Sequence, residues 1–282
     1  DGSYITSLEK DEITTDRMRQ NMIGREFTEG YYRSDYDDNY NHDKVMLEVK
    51  DIKLGNLLKG ISFNVHEGEI LGIGGLTDCG MHDLAKVIYG LIKPDSGEVR
   101  LPQKDVLITN STKAVNNSMG YIPKDRELEG LMLAASIKDN ICMMSMDKVK
   151  NGFLITPGST KKLANEEVEA LSIKIGGLEL PVSSLSGGNK QKVAIAKCMA
   201  NDVEILIMDC PTRGIDVGVK AAIYRLLEKF KAEGRAIVMV SEELPELIGM
   251  SDNLIIMRNG KVTVRLKRSA DLTEQDVISE MI

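Results

Sequence analysis

Leu185-Ser186-Gly187-Gly188-Asn189-Lys190-Gln191-Lys192-Val193-Ala194-Ile195-Ala196-Lys197 is the stretch that decides the fold. A Ser-Gly-Gly on its own is only a turn. Here it opens a helical run, so that unsatisfied glycine amides and the positive end of the helix dipole can approach an anion closely. Beyond the helix comes Glu204-Ile205-Leu206-Ile207-Met208, an apolar strand that ends in Asp209. The order of glycine turn, helix, buried strand and strand-terminal acid is far more specific than the glycine pair alone.

Working outward, Ala236-Ile237-Val238-Met239-Val240 and Glu69-Ile70-Leu71-Gly72-Ile73 are also continuous apolar runs, as strands buried on both faces of a parallel sheet require. A helix is expected between the strands at 204–208 and 236–240, over residues 220–231, and an amphipathic one over 83–91. Val45, Leu47 and Val49 alternate with polar or larger neighbours, and 61–65 alternates again, which predicts partly covered strands. Residues 123–197 are mostly helical in pattern. The expected class is α/β, with a mostly parallel core sheet, an antiparallel β part and an inserted helical subdomain.

The region Ile207-Met208-Asp209-Cys210-Pro211-Thr212-Arg213-Gly214-Ile215-Asp216-Val217-Gly218, taken with the stretch at 185–197, resembles the Walker B, D-loop and signature segments of the ABC ATPase superfamily, a P-loop NTPase fold. The resemblance implies that Asp209 helps hold Mg²⁺ and that the next residue positions the attacking water. Cys210 stands at that second position, and a thiol with an ordinary pKa near ~8.5 is a poor substitute for a carboxylate.

The loop after the strand at 70–73 is Gly75-Leu76-Thr77-Asp78-Cys79-Gly80-Met81-His82. A working P-loop, G-x-x-x-x-G-K-[ST], needs amides around phosphate, a Lys for the terminal oxygens and a hydroxyl for Mg²⁺. Gly75 and Gly80 keep the spacing. Met81 replaces the Lys, His82 replaces the hydroxyl, and Asp78 adds a negative charge to the loop. A protonated His82 would favour an anion, but no partner or metal cluster for it is evident in the sequence. Lys124 stands where the superfamily usually has the Q-loop Gln, Glu242 stands where the switch His is expected, and no aromatic in 52–59 offers adenine a stacking face. The combined expectation is a degenerate nucleotide site beside an intact signature.

Within the superfamily the chain resembles the ATPase subunits of bacterial ribose, galactose and xylose importers, which carry two ABC domains in one polypeptide. The matching residues are Val65-His66-Glu67-Gly68-Glu69-Ile70-Leu71-Gly72, Asp125-Arg126 with Glu129-Gly130-Leu131, the stretches at 185–197 and 211–218, Ser241-Glu242-Glu243-Leu244-Pro245-Glu246-Leu247, and Met18-Arg19-Gln20-Asn21-Met22-Ile23-Gly24-Arg25. ABC domains work as head-to-tail pairs. The resemblance therefore implies that Ser186, Gly187, Gly188 and Asn189 serve ATP held by a partner domain, with Asp216 reaching across. It implies a first nucleotide-binding domain, transmembrane permease subunits and, indirectly, a sugar-binding protein as partners. ATP and Mg²⁺ are the cofactors implied for a tandem protein, while this half alone need bind neither. Met132, Met143, Met144 and Met146 lie where a permease helix would dock, although such methionines are more often core.

The two ends repeat one another. Asp1-Gly2-Ser3-Tyr4-Ile5-Thr6-Ser7-Leu8 resembles Asn259-Gly260-Lys261-Val262-Thr263-Val264-Arg265-Leu266, and residues 13–23 match 272–282. Residues 1–24 are thus expected to be the tail of a preceding copy, 25–43 a solvated linker rich in Tyr and Asp, and 44–282 the domain itself, with the helical subdomain at about 123–197.

The net charge of -7 and the pI near 5.2 argue against a nucleic-acid binder. No apolar stretch approaches the ~20 residues that span a bilayer. Cys79, Cys142, Cys198 and Cys210 lie far apart and are expected to be reduced thiols. With the resemblance, this implies a cytoplasmic protein peripheral to the inner face of the membrane. A nucleoside importer ATPase, a soluble ABC protein of translation or DNA repair, and a regulatory ABC-like domain without nucleotide are the alternatives. The soluble class of translation or DNA repair would carry a long charged helical linker or coiled-coil insertion, and neither appears in the sequence.

Overall fold

The computed structural model describes residues 6–7, 32–37, 39–151 and 154–281. The repeat expected at 1–24 lies almost wholly outside them. A six-stranded sheet forms the centre, in the order β12-β11-β3-β10-β9-β6. Its members are β3 (Ile70–Gly75), β6 (Met119–Ile122), β9 (Ile205–Asp209), β10 (Ala236–Val240), β11 (Asn253–Arg258) and β12 (Lys261–Lys267). All neighbours run parallel except β11 and β12.

Every residue of β3, β6, β9 and β10 is buried, because both faces of the sheet are covered. Alternation then divides the side chains between two cores. Leu206, Met208, Ile237 and Met239 face the core shared with the helical subdomain. Ile205, Ile207, Val238 and Val240 face the core under the second sheet. That second sheet is antiparallel, in the order β2-β1-β4-β5, and consists of β1 (Asn41–Leu54), β2 (Leu58–Glu67), β4 (Ser96–Leu101) and β5 (Val106–Leu107).

Helix α1 (Met81–Ile88) follows β3, and α2 (Ser111–Asn116), capped by the Asn110 side chain, precedes β6. The helical subdomain holds α3 (Ile137–Cys142), α4 (Met146–Val149), α5 (Pro157–Ala170) and α6 (Gly187–Met199), with a small hairpin of β7 (Lys150–Asn151) and β8 (Leu154–Ile155) that the sequence pattern did not suggest. Helices α7 (Val217–Ala232), α8 (Leu244–Met250) and α9 (Glu274–Met281) complete the domain. The helix expected at 220–231 starts three residues earlier, because Asp216 caps it by accepting from Val219 N at 3.0 Å. Met132, Met143 and Met146 are exposed, at 45%, 39% and 37%, so the more ordinary expectation of a core role is corrected for them.

The segment expected as a solvated linker is anchored where it is described. Arg33 is 6% exposed and pairs with Asp35 at 2.7 Å and with Asp252 at 2.9 Å, and it donates to Met250 O at 3.0 Å. Arg268 donates to Ile248 O, Gly249 O, Asp35 O and Arg33 O. The Tyr32 ring lies 5.3 Å from that of Tyr224. Charges placed more than two hundred residues apart in the chain hold this segment down, and β1 already begins at Asn41.

Candidate functional site

The parallel order brings the C-terminal ends of β3, β6, β9 and β10 to one edge, where open α/β sheets place their ligands. Val240 is level with Ile73 on one side and with Asp209 on the other, and Ile122 is level with Met208. The loops leaving these ends carry the residues in question: 76–80 with α1, Lys124, Cys210, and Glu242.

Gly75 ends β3 under tight constraint, since a Cβ there would lie 2.4 Å from Met257 O and 2.5 Å from Cys79 Sγ. Residues Thr77–Cys79 form a 3-10 turn, which leaves Asp78 exposed. Gly80 reverses the chain at a φ of 94° and leads into α1 without a side-chain cap. Met81 is fully buried in the core under the antiparallel sheet. A charged side chain would be costly to bury there, and the Met81 thioether serves as packing.

His82, Lys124, Asp209 and Glu242 meet. His82 Nδ1 lies 2.7 Å from Asp209 Oδ1, and its Nε2 lies 3.3 Å from Glu242 Oε1. Lys124 Nζ donates to Glu242 Oε1 at 2.7 Å and lies 3.1 Å from His82 Nε2. Thr77 Oγ1 donates to the same Glu242 oxygen at 3.3 Å. The expectation that His82 has no partner and no metal cluster is therefore corrected: it faces two carboxylates, and it forms a potential metal-ligating group with Asp209 and Cys210. The reason is topological, since four strand ends converge on one spot.

The charges respond accordingly. Burial works against the His82 imidazolium, but the hydrogen bond and the charge of Asp209 outweigh it and raise its pKa. The Lys124 hydrogen bond, helped by His82, holds Glu242 below the usual carboxylate range despite some burial. Burial, reinforced by the charge of Asp209, pushes the Cys210 thiol up to about 12, so it is protonated at neutral pH and cannot act as a base.

Mg²⁺ demands hard oxygen ligands in near-octahedral array. Here the groups that meet are an imidazole, a thiol and a carboxylate, and one Asp209 oxygen is engaged by His82. These residues do not fit Mg²⁺.

The segment at 185–189, expected to be the signature, has a different character. Ser186 is the exposed N-cap of α6, yet its side chain caps nothing in the helix; it accepts from Asn189 Nδ2 at 3.1 Å. The first-turn amides keep their outward orientation at a helix N-terminus. Asn189 also accepts from Lys174 N at 3.1 Å, which fixes its amide. Gly188 is pressed against α7, where a Cβ would lie 2.8 Å from Val219 Cγ2. Asp216 is exposed and serves as the α7 cap.

Arg126 was not singled out for a role by its sequence context. It donates from Nη1 to Arg213 O at 2.9 Å, and its Nη2 lies beside Gly187, so it ties the Lys124 loop to the signature and to the turn after β9. Glu246 was missed as well. It is 1% exposed and accepts from Thr212 Oγ1 at 2.7 Å and from Ser241 Oγ at 2.5 Å, joining the turn after β9 to the loop that carries Glu242. Only its position after the helix-starting Leu244-Pro245 hinted at an inward face. A hollow of about 640 Å³ around Tyr40, Glu67 and Lys231 lies at the opposite ends of the strands.

The model of the family described as ABC transporter matches residues 58–213. A putative ribose/galactose/methyl galactoside import ATP-binding protein of Burkholderia lata is 36% identical over 279 residues, which are 99% of this chain and 54% of that protein. A ribose import ATP-binding protein of Lacticaseibacillus paracasei is 38% identical, over 93% of this chain and 52% of that protein. The chain thus spans about half the length of the curated relatives it matches. A bacterial ABC transporter cassette solved as a dimer superposes with a TM-score of 0.69 at 24% identity, covering 80% of this chain and all of that one.

Proposed function

The chain belongs to the ABC transporter family, and we propose that it acts as the second, nucleotide-poor half of a tandem sugar-import ATPase. In this reading Ser186, Gly187, Gly188 and Asn189 complete an ATP site whose Walker motifs belong to a preceding domain. The observation that carries it is a contrast inside one domain. Ser186 stands exposed at the α6 N-terminus without capping the helix, while the strand-end face is filled by its own charges.

On that face, the Glu242 carboxylate stands in for the negative charge of a terminal phosphate, and Lys124 with His82 stands in for the cation. A nucleotide would have to break the ion pair at 2.7 Å and leave Lys124 and Glu242 separately solvated. It would then find no P-loop lysine to replace them, because Met81 is buried. Both terms oppose binding. Asp216 and Arg126, which border the signature, are the residues assigned to the domain–domain contact. The exposed Met132, Met143 and Met146 are assigned to a transmembrane permease subunit, and a sugar-binding protein would act through that permease. This arrangement would place the protein at the cytoplasmic face of a membrane.

The test uses the tandem polypeptide. Gly187→Asp puts a negative charge at the signature and should lower ATP turnover at least 100-fold, the scale of losing a principal transition-state contact. His82→Ala should leave turnover within about twofold, because that side chain lies on the face that holds no nucleotide in this reading. Unchanged turnover in Gly187→Asp would overturn the proposal. Tight binding of a labelled ATP analogue by the isolated chain would show instead that the strand-end face is a working nucleotide site.

A further inference from the structure

We propose that the strand-end face is a site for a borderline divalent transition metal, with Zn²⁺ as the type, held by His82, Asp209 and Cys210. This does not depend on the signature reading: it concerns the strand-end residues and not the α6 N-terminus, and fails or stands by a different measurement.

The imidazole, carboxylate and thiol donor atoms of these three residues all lie within 4.8 Å of one another. In a tetrahedral zinc site, with bonds of about 2.0–2.3 Å, ligand atoms sit about 3.5 Å apart. Closing the group around an ion therefore takes side-chain adjustments on the order of 1 Å. Asp209 sits on the last residue of a buried strand, and Cys210 N donates to Val240 O at 2.8 Å, so two of the three ligands are fixed by the sheet.

A second observation points to a cation independently. Asp209 is 0% exposed, and its Oδ2 is buried without a hydrogen-bond partner. An ionised carboxylate with an unsatisfied buried oxygen is costly, and a metal ion at that oxygen removes the cost.

The donor set selects the ion. One nitrogen, one oxygen and one sulfur suit Zn²⁺ and its neighbours and not Mg²⁺ or Ca²⁺. Three protein ligands leave the fourth position to water. The substitutions that remove the hydroxyl and the carboxylate of a nucleotide-bound Mg²⁺ site are the same ones that supply imidazole and thiol.

The surroundings supply the outer support that metal-binding histidines have. Nδ1 of His82 faces Asp209, so it is the coordinating nitrogen, and Nε2, which then carries the proton, faces Glu242 Oε1 at 3.3 Å with Lys124 Nζ at 3.1 Å. Lys124 stays paired with Glu242 at 2.7 Å. On binding, the proton between His82 Nδ1 and Asp209 Oδ1 and the proton of the Cys210 thiol both leave to solvent. Two protons are exchanged for one divalent ion, so the net charge of the site is unchanged. The ion would pin the first turn of α1 to the end of β9.

The experiment is a Co²⁺ titration of the reduced, chelator-stripped chain, followed by absorption. The expected result is one equivalent bound with a thiolate-to-cobalt charge-transfer band, displaced by Zn²⁺ and not by excess Mg²⁺. Cys210→Ser should abolish the band, and Cys142→Ala, in the helical subdomain, should retain it. Glu242→Gln keeps all three ligands and should weaken Co²⁺ about 10-fold. Far-ultraviolet circular dichroism establishes that each variant is folded. If Cys210→Ser proved unfolded, alkylation of Cys210 in the otherwise wild-type chain should be slowed by Zn²⁺. No band in the wild type, a band unchanged in Cys210→Ser, or alkylation indifferent to Zn²⁺ would overturn the proposal.

Discussion

Lys124 Nζ lies 2.7 Å from Glu242 Oε1, which joins the loop after β6 to the loop after β10 across the end of β9. The two residues read as unrelated departures in the sequence, and in space they are one ion pair with His82 beside it. A partly exposed pair of this kind is worth more than an isolated surface pair only if the third group is coupled to it. In a double-mutant cycle of Lys124→Met and Glu242→Gln, read by urea unfolding, the coupling energy should be about 1 kcal/mol. Strict additivity would show that the pair contributes nothing to folding.

The same network predicts how nucleotide binding responds to repair. Met81→Lys alone should not produce detectable affinity for a labelled ATP analogue, since the pair at 124 and 242 persists and the new side chain starts in a core position. Combining Met81→Lys and His82→Thr with Lys124→Gln and Glu242→His should tighten binding at least 10-fold over the wild type, a gain of about 1.4 kcal/mol. Fluorescence titration reads both.

Gly187 and Gly188 are adjacent and should respond differently to alanine. At Gly188 the new Cβ meets Val219 Cγ2 at 2.8 Å, inside the packed contact between α6 and α7. Gly188→Ala should cost about 1–3 kcal/mol of stability by overpacking. At Gly187 the nearest atom is Arg126 Nη2 at 3.1 Å, the end of a long side chain that can move. Gly187→Ala should stay within about 0.5 kcal/mol of the wild type in the same unfolding assay.

Glu167 gives a pH dependence with a defined sign. Burial raises its pKa from 4.5 to about 7, against the opposing pull of Lys148 and Arg235. The folded chain therefore binds more protons than the unfolded chain between pH 4.5 and 7, and stability falls as pH rises through that window. Full burial would make the loss about 3 kcal/mol; the partly exposed side chain reduces this to about 1 kcal/mol. Glu167→Gln should flatten the profile between pH 4.5 and 7, and an unchanged slope would count against the assignment.

Arg33→Met should destabilise the domain by about 3 kcal/mol, because it removes one partner from a buried charge cluster and leaves the Asp252 carboxylate to Lys231 at 3.0 Å and the Ile70 amide at 2.8 Å, both on its other oxygen. Chemical denaturation measures it. A change below about 0.5 kcal/mol would mean that the segment at 32–37 is not anchored by its charge.

The core strands were legible because burial on both faces writes itself as unbroken apolar runs at 70–73, 205–208 and 236–240. The glycine turn that opens α6 was legible because its residues are contiguous. The strand-end network was not. His82 and Asp209 are 127 positions apart, and Lys124 and Glu242 are 118 apart, so each substitution reads as a loss until the sheet places them together. The anchored segment before β1 escaped for the same reason. Its Tyr and Asp residues show no period, and the partners of Arg33 and Arg268 lie at the far end of the chain. The exposure of Met132, Met143 and Met146 was open at the level of sequence, since an apolar residue in a loop, at a helix C-cap or at the start of a four-residue helix has no fixed side.

The mutual pairing of His82, Lys124 and Glu242 also bears on how these positions can vary. Exchanging any one of them by itself leaves a charge facing like charge or without its partner. The three positions are therefore expected to vary together, as a linked set spread over 160 residues of sequence.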